Sequence, residues 1–381
     1  MSFEIVEPSG GEFAAGDWEA IYKQQRTKFY DFTREVHEII KKNIDAIGIN
    51  VSLIEARTKS VESFCEKIAR DGKSYVSPIE DMTDLSGCRI ITYYNDELDA
   101  VEDMIRNVFL IDEKNSQRKD VIDNPKEFGY RSRHFVVALS ADRLKLGEYE
   151  RFAGMKAEIQ VRSVLQHAWA AIEHKLQYKR SEDIPKPLRR KLFQVSALLE
   201  MADDQFSYIK KKVATLRQEY RADLVSGGIE VPINIESLDV FLEESEVFTR
   251  IKEMMPNDKF VLSPRPPGTT NTLSKLNAAI RVSKIKDLND FRIKMESVEA
   301  KEWSDFLSRL FDLWRQQVPL KMSSLGPIGP KRLVLDDSAI ARLVILFLAA
   351  EASRRRLVKE VPFGDKLQIA LTNLVGSDAD M

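Results

Sequence analysis

The sequence predicts an α+β protein, a mixed β-sheet flanked by helices and followed by a mainly helical C-terminal region. Two observations carry the first part: strand-like segments alternate with helical ones between residues 51 and 162, and a long amphipathic pattern follows from Leu188 to about Tyr220. A third places the boundary. Ser226, Gly227 and Gly228 break the chain, and beyond them the apolar spacing is mostly helical.

In order, Trp18, Ile21, Tyr22, Phe29, Phe32, Val36, Ile39, Ile40 and Ile44 recur every three or four residues, predicting a long helix with Asp17 as N-cap and an end near Gly48. Val51 to Lys59 reads as a strand, and Ser60 caps a helix carrying Val61, Phe64, Cys65 and Ile68. After Pro78 a strand is expected over Ile90 to Tyr94, with Asn95 capping a helix through Leu98, Val101, Ile105 and Val108. Phe109 to Asp112 and His134 to Leu139 read as strands on either side of a polar loop, and Lys156 to Arg162 as another. In that last strand Glu158, Gln160 and Arg162 share one face and Ala157, Ile159 and Val161 the other. Pro185 and Pro187 precede the second long helix. Further on, Trp303, Phe306, Leu307, Leu310 and Trp314 make one stripe, and Ile340 to Val358 reads as a single evenly apolar helix.

Two domains are expected in 381 residues, 1–225 and 229–381, each large enough for its own core. A hydrophobic fraction of 43% excludes wholesale disorder, and a net charge of −2 argues against a surface coated for bulk nucleic-acid binding. The two cysteines, Cys65 and Cys88, suit buried thiols in a reducing cytoplasm. The N-terminus lacks the pattern of a secretory signal, and the apolar run Leu343 to Ala350 is too short to span a bilayer, so a cytoplasmic protein without a membrane partner is expected.

The chemistry concentrates in residues 55 to 179. Asp84 and Glu158 stand at strands that a mixed sheet can bring together, and two carboxylates near phosphates fit Mg²⁺. Arg57, Lys59 and Lys67 supply donors for a triphosphate. The loop Lys126-Glu-Phe-Gly-Tyr130-Arg-Ser-Arg-His134 adds a second basic group and an aromatic ring suited to stacking on a base. Taken singly, each of these residues is an ordinary solvated side chain; together they outline two nucleotide sites. His167 and His174 lack a third metal ligand and are expected to be packed or hydrogen-bonded, with Trp169 in the core.

Four segments in order resemble the synthetase domain of the RelA/SpoT family of alarmone synthetases: Arg57-x-Lys59 with Lys67; Asp84-Leu-Ser-Gly-Cys-Arg89; Gly129-Tyr-Arg-Ser-Arg-His134; and Glu158-Ile-Gln-Val-Arg-Ser followed by His167-Ala-Trp-Ala-Ala-Ile-Glu-His174. The resemblance implies a nucleotidyltransferase-like synthetase core and Mg²⁺-dependent transfer of pyrophosphate from ATP to the 3′-hydroxyl of GDP or GTP. It assigns Asp84 and Glu158 to the metal and catalysis, Arg57 to adenine, and Lys59, Lys67 and Arg89 to ATP phosphates. Lys119, Lys126 and His134 would meet the acceptor's phosphates, Tyr130 its guanine, and Gln160 its base or ribose. Phe128, Arg133 and Ser163 depart from the family pattern, and the first two bring acceptor selectivity into question.

Two other readings stay open: a toxic relative that pyrophosphorylates the 3′ end of tRNA, and a non-catalytic nucleotide-sensing or partner-binding module. The hydrolase domain of long family members has no counterpart in the sequence. Residues 229–381 are expected to serve regulation, homo-oligomerisation or a protein partner.

Overall fold

A computed structural model describes residues 15–70, 75–118, 132–175, 185–226, 231–264, 270–318, 321–323, 326–328 and 332–377. The chain divides into two compact units, residues 1–210 and 211–381.

The first unit opens with α1 (Ala15–Ala46), β1 (Val51–Thr58), α2 (Val61–Ile68) and the short α3 (Pro78–Asp81). Then come β2 (Ser86–Thr92), a 3₁₀ turn at Asn95–Glu97, α4 (Leu98–Val108), β3 (Phe109–Ile111) and β4 (Gln117–Arg118). β5 (Arg133–Leu139), α5 (Ala141–Leu144), β6 (Ala157–Ser163), α6 (Val164–Lys175) and α7 (Lys186–Ser226) follow. The sheet runs in the order β1-β2-β6-β5-β3, with β4 also on β5; β2 and β6 are parallel, the other pairs antiparallel.

Alternation decides the two faces. Cys88, Ile90, Ile159, Val161, Phe135 and Val137 are buried against α1 and α4 in one cluster with Phe32, Ile40, Val101 and Ile105. The polar residues between them face the other way. Tyr22 of α1 locks the edge of the sheet: its hydroxyl donates to the Lys59 carbonyl at 2.8 Å and its ring stacks on Phe64 at 4.3 Å.

Several boundaries differ from expectation. β2 starts at Ser86 and stops at Thr92, whose hydroxyl bonds the Tyr94 carbonyl and turns the chain. Asn95 begins the 3₁₀ turn and not α4 itself. Cys88 is buried, but Cys65 is only half-buried. Arg133, expected on the acceptor side, lies on the core face. Its guanidinium pairs with Glu102 at 3.0 Å and Asp99 at 2.7 Å on α4, so the alternation of β5 turns it away from the cavity described below.

The boundary between compact units falls inside α7, not at Ser226 to Gly228, because Leu216, Tyr220 and Leu224 join the apolar core of the second unit. That unit continues with α8 (Ile235–Glu244), α9 (Glu246–Glu253), β7 (Phe260–Leu262), α10 (Thr270–Val282), α11 (Leu288–Glu296) and α12 (Ala300–Gln316). It closes with β8 (Lys321–Ser323), β9 (Gly326–Ile328), β10 (Leu333–Leu335), α13 (Asp337–Leu348), α14 (Glu351–Glu360) and α15 (Asp365–Ser377). The segment read as one helix from Ile340 to Val358 is two, broken where Ala349 and Ala350 turn extended and Arg354 takes the Phe347 carbonyl. Leu343 to Leu346 pack with Trp303 in the unit's own core. No helix among the described residues is long and apolar enough to cross a membrane.

Within the first unit α7 carries a buried carboxylate, Asp203, 1% exposed. Burial, and then the charge of Asp204, push its pKa up to about 7. An unfolded chain releases that proton near pH 4, so between about 4 and 7 the folded state holds more protons, and stability falls as pH rises through this window. Asp203→Asn should flatten this part of the profile and gain most over the parent protein at about pH 8, as read by thermal unfolding at about pH 5 and pH 8. An unchanged slope would assign the effect to another group.

Candidate active site

The strand registers set the polar face out as a grid. Arg57 lies opposite Gly87 and Gly87 opposite Glu158; one row on, Glu55, Arg89, Gln160 and His134 pair in turn across four strands. Lys59 follows β1, Asp84 precedes β2 and Lys67 comes from α2, whose N-terminus is fixed by the Ser60 side chain accepting from the Ser63 amide. These elements enclose a cavity of about 250 Å³ lined by Arg57, Lys59, Asp84, Arg89, Glu158 and Gln160, with Glu55, Ser63 and Gly87.

Asp84 is held between two lysines: Lys59 Nζ meets Oδ2 and Lys67 Nζ meets Oδ1, each at 2.8 Å. Burial would raise its pKa, but the two ammonium groups outweigh burial and hold the carboxyl below its usual range. Glu158 follows the same logic with different partners. Burial pushes it up, while His134 Nδ1 at 3.0 Å and Gln160 Nε2 at 2.7 Å, both on Oε1, pull it below the ordinary value against the repulsion of Asp84. Both carboxylates are therefore ionised at neutral pH and within electrostatic reach of each other.

The grid extends on both sides. Arg162 Nη2 donates to Gln160 Oε1 at 3.1 Å, and Ser132 Oγ lies 2.6 Å from His134 Nε2, so Ser132, His134, Glu158, Gln160 and Arg162 form one hydrogen-bonded row. Arg89 Nη1 is paired with Glu55 at 3.1 Å. Desolvation, then the positive charge of Arg89, lower the pKa of both Arg162 and His167.

Of the residues expected from sequence, the structure brings together Arg57, Lys59, Lys67, Asp84, Arg89, His134, Glu158 and Gln160. Lys119, Lys126 and Tyr130, with Phe128, lie outside the described residues. His174 is exposed and not packed, while Trp169 is buried as expected. No group of three His, Cys, Asp or Glu side chains placed to hold one metal ion occurs among the described residues. Sequence reasoning missed Glu55, Ser63, Gly87 and Ser132. Glu55 was within reach, since it shares the period-two face of Arg57; Ser63 needed the docking of α2.

The family model described as "Region found in RelA / SpoT proteins" matches residues 56–183, which span every described side chain of the cavity except Glu55. The chain is 32% identical over 161 residues to GTP pyrophosphokinase YwaC of Bacillus subtilis, covering 42% of this chain and 73% of the relative. The chain belongs to the RelA/SpoT family. Family membership extends to a second relative, GTP pyrophosphokinase YjbM of Bacillus subtilis, 33% identical over 165 residues, or 43% of this chain and 74% of the relative. Among solved structures, the small alarmone synthetase 1 of Bacillus subtilis bound to its product pppGpp aligns with 52% of this chain and 99% of its own, at 28% identity and a TM-score of 0.41. These RelA/SpoT matches cover about half of the chain or less.

Proposed function

We propose that this RelA/SpoT protein transfers the β,γ-pyrophosphate of ATP to the 3′-hydroxyl of GDP or GTP, making ppGpp or pppGpp. The observation that carries the reading is the facing of Asp84 and Glu158 across one cavity, Asp84 paired with Lys59 and Lys67 and Glu158 in contact with the His134 imidazole. The naming of both curated relatives as GTP pyrophosphokinases supports it.

Two ionised carboxylates offering only oxygen fit Mg²⁺, which is commonly held by one or two acidic side chains together with substrate phosphates. Asp84 and Glu158 would hold it, and when bound it supplies charge neutralisation at the transferring phosphates. The chain's own groups do the rest. Lys59 and Lys67 exchange Asp84 for ATP phosphates, Arg89 assists them, and Arg57 stacks on adenine. His134 meets the acceptor's phosphates and Gln160 its base or ribose, while Lys119, Lys126 and Tyr130 complete the acceptor side by their place in the family motif. Glu158 accepts the proton of the 3′-hydroxyl. The 3′-oxygen bonds to the β-phosphorus, the bond from that phosphorus to the α,β-bridging oxygen breaks, and AMP leaves. Such a transfer needs alignment and charge stabilisation, not a covalent nucleophile.

Purified protein incubated with labelled ATP and, separately, GDP, GTP or deacylated tRNA tests the reading by where the label goes. Label on a guanine nucleotide is expected; label on the tRNA 3′ end would transfer the same chemistry to a different acceptor, and no label anywhere would leave a binding module. Within the expected outcome, Tyr130→Ala should weaken acceptor affinity about 5- to 150-fold, the equivalent of one lost stacking contact, and leave ATP binding nearly unchanged. Arg57→Ala should do the reverse, as titration calorimetry with each nucleotide would read. We further propose that residues 229–381 form a regulatory or partner-binding region.

A further inference from the structure

At its far end β6 is tied to α7 by a buried polar chain. Ser163, the last residue of the strand and fully buried, donates its hydroxyl proton to Asp203 Oδ2 at 2.5 Å. Ser163 and Gln166 cap α6 reciprocally: the Ser163 amide donates to Gln166 Oε1 and the Gln166 amide to Ser163 Oγ, both at 3.1 Å. Gln166 Nε2 then reaches Asn95 Oδ1 at 3.4 Å, in the turn that follows β2. Ser163 also lies opposite Thr92, so the chain crosses the ends of both parallel strands of the active site.

The geometry constrains more than the strand ends. The hydroxyl of Ser163 has one proton; with Asp203 as its acceptor the oxygen lone pairs stay turned toward the α6 amide. The backbone on which Arg162 stands is thereby held, and Arg162 leads through Gln160 Oε1 to Glu158 Oε1 in the hydrogen-bonded row. Removing one partner from a chain this deeply buried leaves the others unsatisfied, which favours rearrangement over simple loss of one bond.

We propose that Asp203 is a positioning residue for Glu158, acting through Ser163, Arg162 and Gln160. It touches neither substrate nor reacting atom. The proposal rests on the assignment of Glu158 to the reaction, and its test therefore includes a measurement that needs no turnover.

Asp203→Ala, Asp203→Asn, Ser163→Ala and the double alanine variant are compared in the full chain. Two quantities are read for each: steady-state kinetics, and amide hydrogen exchange over residues 157–166. Asp203→Ala and Ser163→Ala should each lower kcat roughly tenfold to a hundredfold, the scale of a small misplacement at the reacting centre, with KM for both nucleotides nearly unchanged. The double variant should be no worse than Ser163→Ala, because that change already removes the link to Asp203 together with the α6 cap. Exchange over 157–166 should accelerate in each alanine variant. Asp203→Asn keeps an oxygen acceptor for Ser163 and should restore both readouts toward the parent.

Unchanged exchange over 157–166 in Ser163→Ala, the milder deletion should Asp203→Ala fold poorly, overturns the proposal whatever the kinetics. So do equal losses in Asp203→Asn and Asp203→Ala, or a loss confined to KM. If the parent protein transfers no pyrophosphate, the pyrophosphotransferase reading fails while the exchange data still decide the link.

Discussion

Asp84→Asn and Glu158→Gln are each expected to lower turnover by on the order of a thousandfold or more, the largest effects of any single changes in this chain. Each removes a negative charge while keeping size and shape. Asp84 contacts two lysines, and its neutral amide would leave Lys59 and Lys67 with one compensating charge fewer in a half-buried position. The folded state should tolerate this, because both ammonium groups retain solvent access, so thermal unfolding should change little beside activity. Glu158→Gln also removes the carboxylate proposed to accept the 3′-hydroxyl proton and breaks the pairing with His134. Assays of pyrophosphate transfer with each variant, alongside unfolding curves, separate chemistry from folding. Near-parental turnover in either would remove that carboxylate from the reaction.

A second large effect is expected where there is no side chain. Gly87 lies between Arg57 and Glu158 in the grid, and a Cβ built there meets only the Arg57 carbonyl at 3.5 Å and the Glu158 carbonyl at 3.9 Å, ordinary contact distances. Gly87→Ala should be accepted. Gly87→Phe would project a ring from the cavity floor into the space proposed for ATP, weakening nucleotide binding at least tenfold, or about 1.4 kcal/mol, by calorimetry. The same substitution replaces glycine with a strong strand former inside β2, so the fold should hold or gain slightly in stability. A Gly87→Phe protein that binds ATP normally would place the nucleotide elsewhere.

Much of this was legible from the chain. Alternation in β6 gave the polar face of Glu158, Gln160 and Arg162, and the order of motifs gave most of the carboxylates and cations that meet in the cavity. What escaped had physical causes. Arg133 was read from its neighbours in the loop, yet period two puts it opposite His134, and a buried arginine is hidden from sequence until its carboxylate partners on α4 are in place. Ser163 stands in the sequence only as a departure from the family pattern, because Asp203, 40 positions on, is brought to it by tertiary packing. The break at Ala349 is invisible in an evenly apolar run that lacks glycine and proline, since a side chain from the next helix helps end the first. The long helix α7 is expected from its spacing, but no local signal marks the point within it at which the two compact units divide.

The parallel pairing of β2 with β6 carries a consequence for synthesis. Cys88 lies opposite Ile159, so this pairing closes a loop of about 70 residues and is slow to form relative to local contacts. Until β6 has emerged from the ribosome, β2 can pair only with β1, leaving an open edge that carries Cys88, Ile90 and Ile91. A nascent chain stopped before residue 157 therefore exposes an adhesive strand and lacks Glu158. Premature termination in this region would yield aggregating fragments and no partially active enzyme, and chaperone demand should peak while the loop between β2 and β6 is being made.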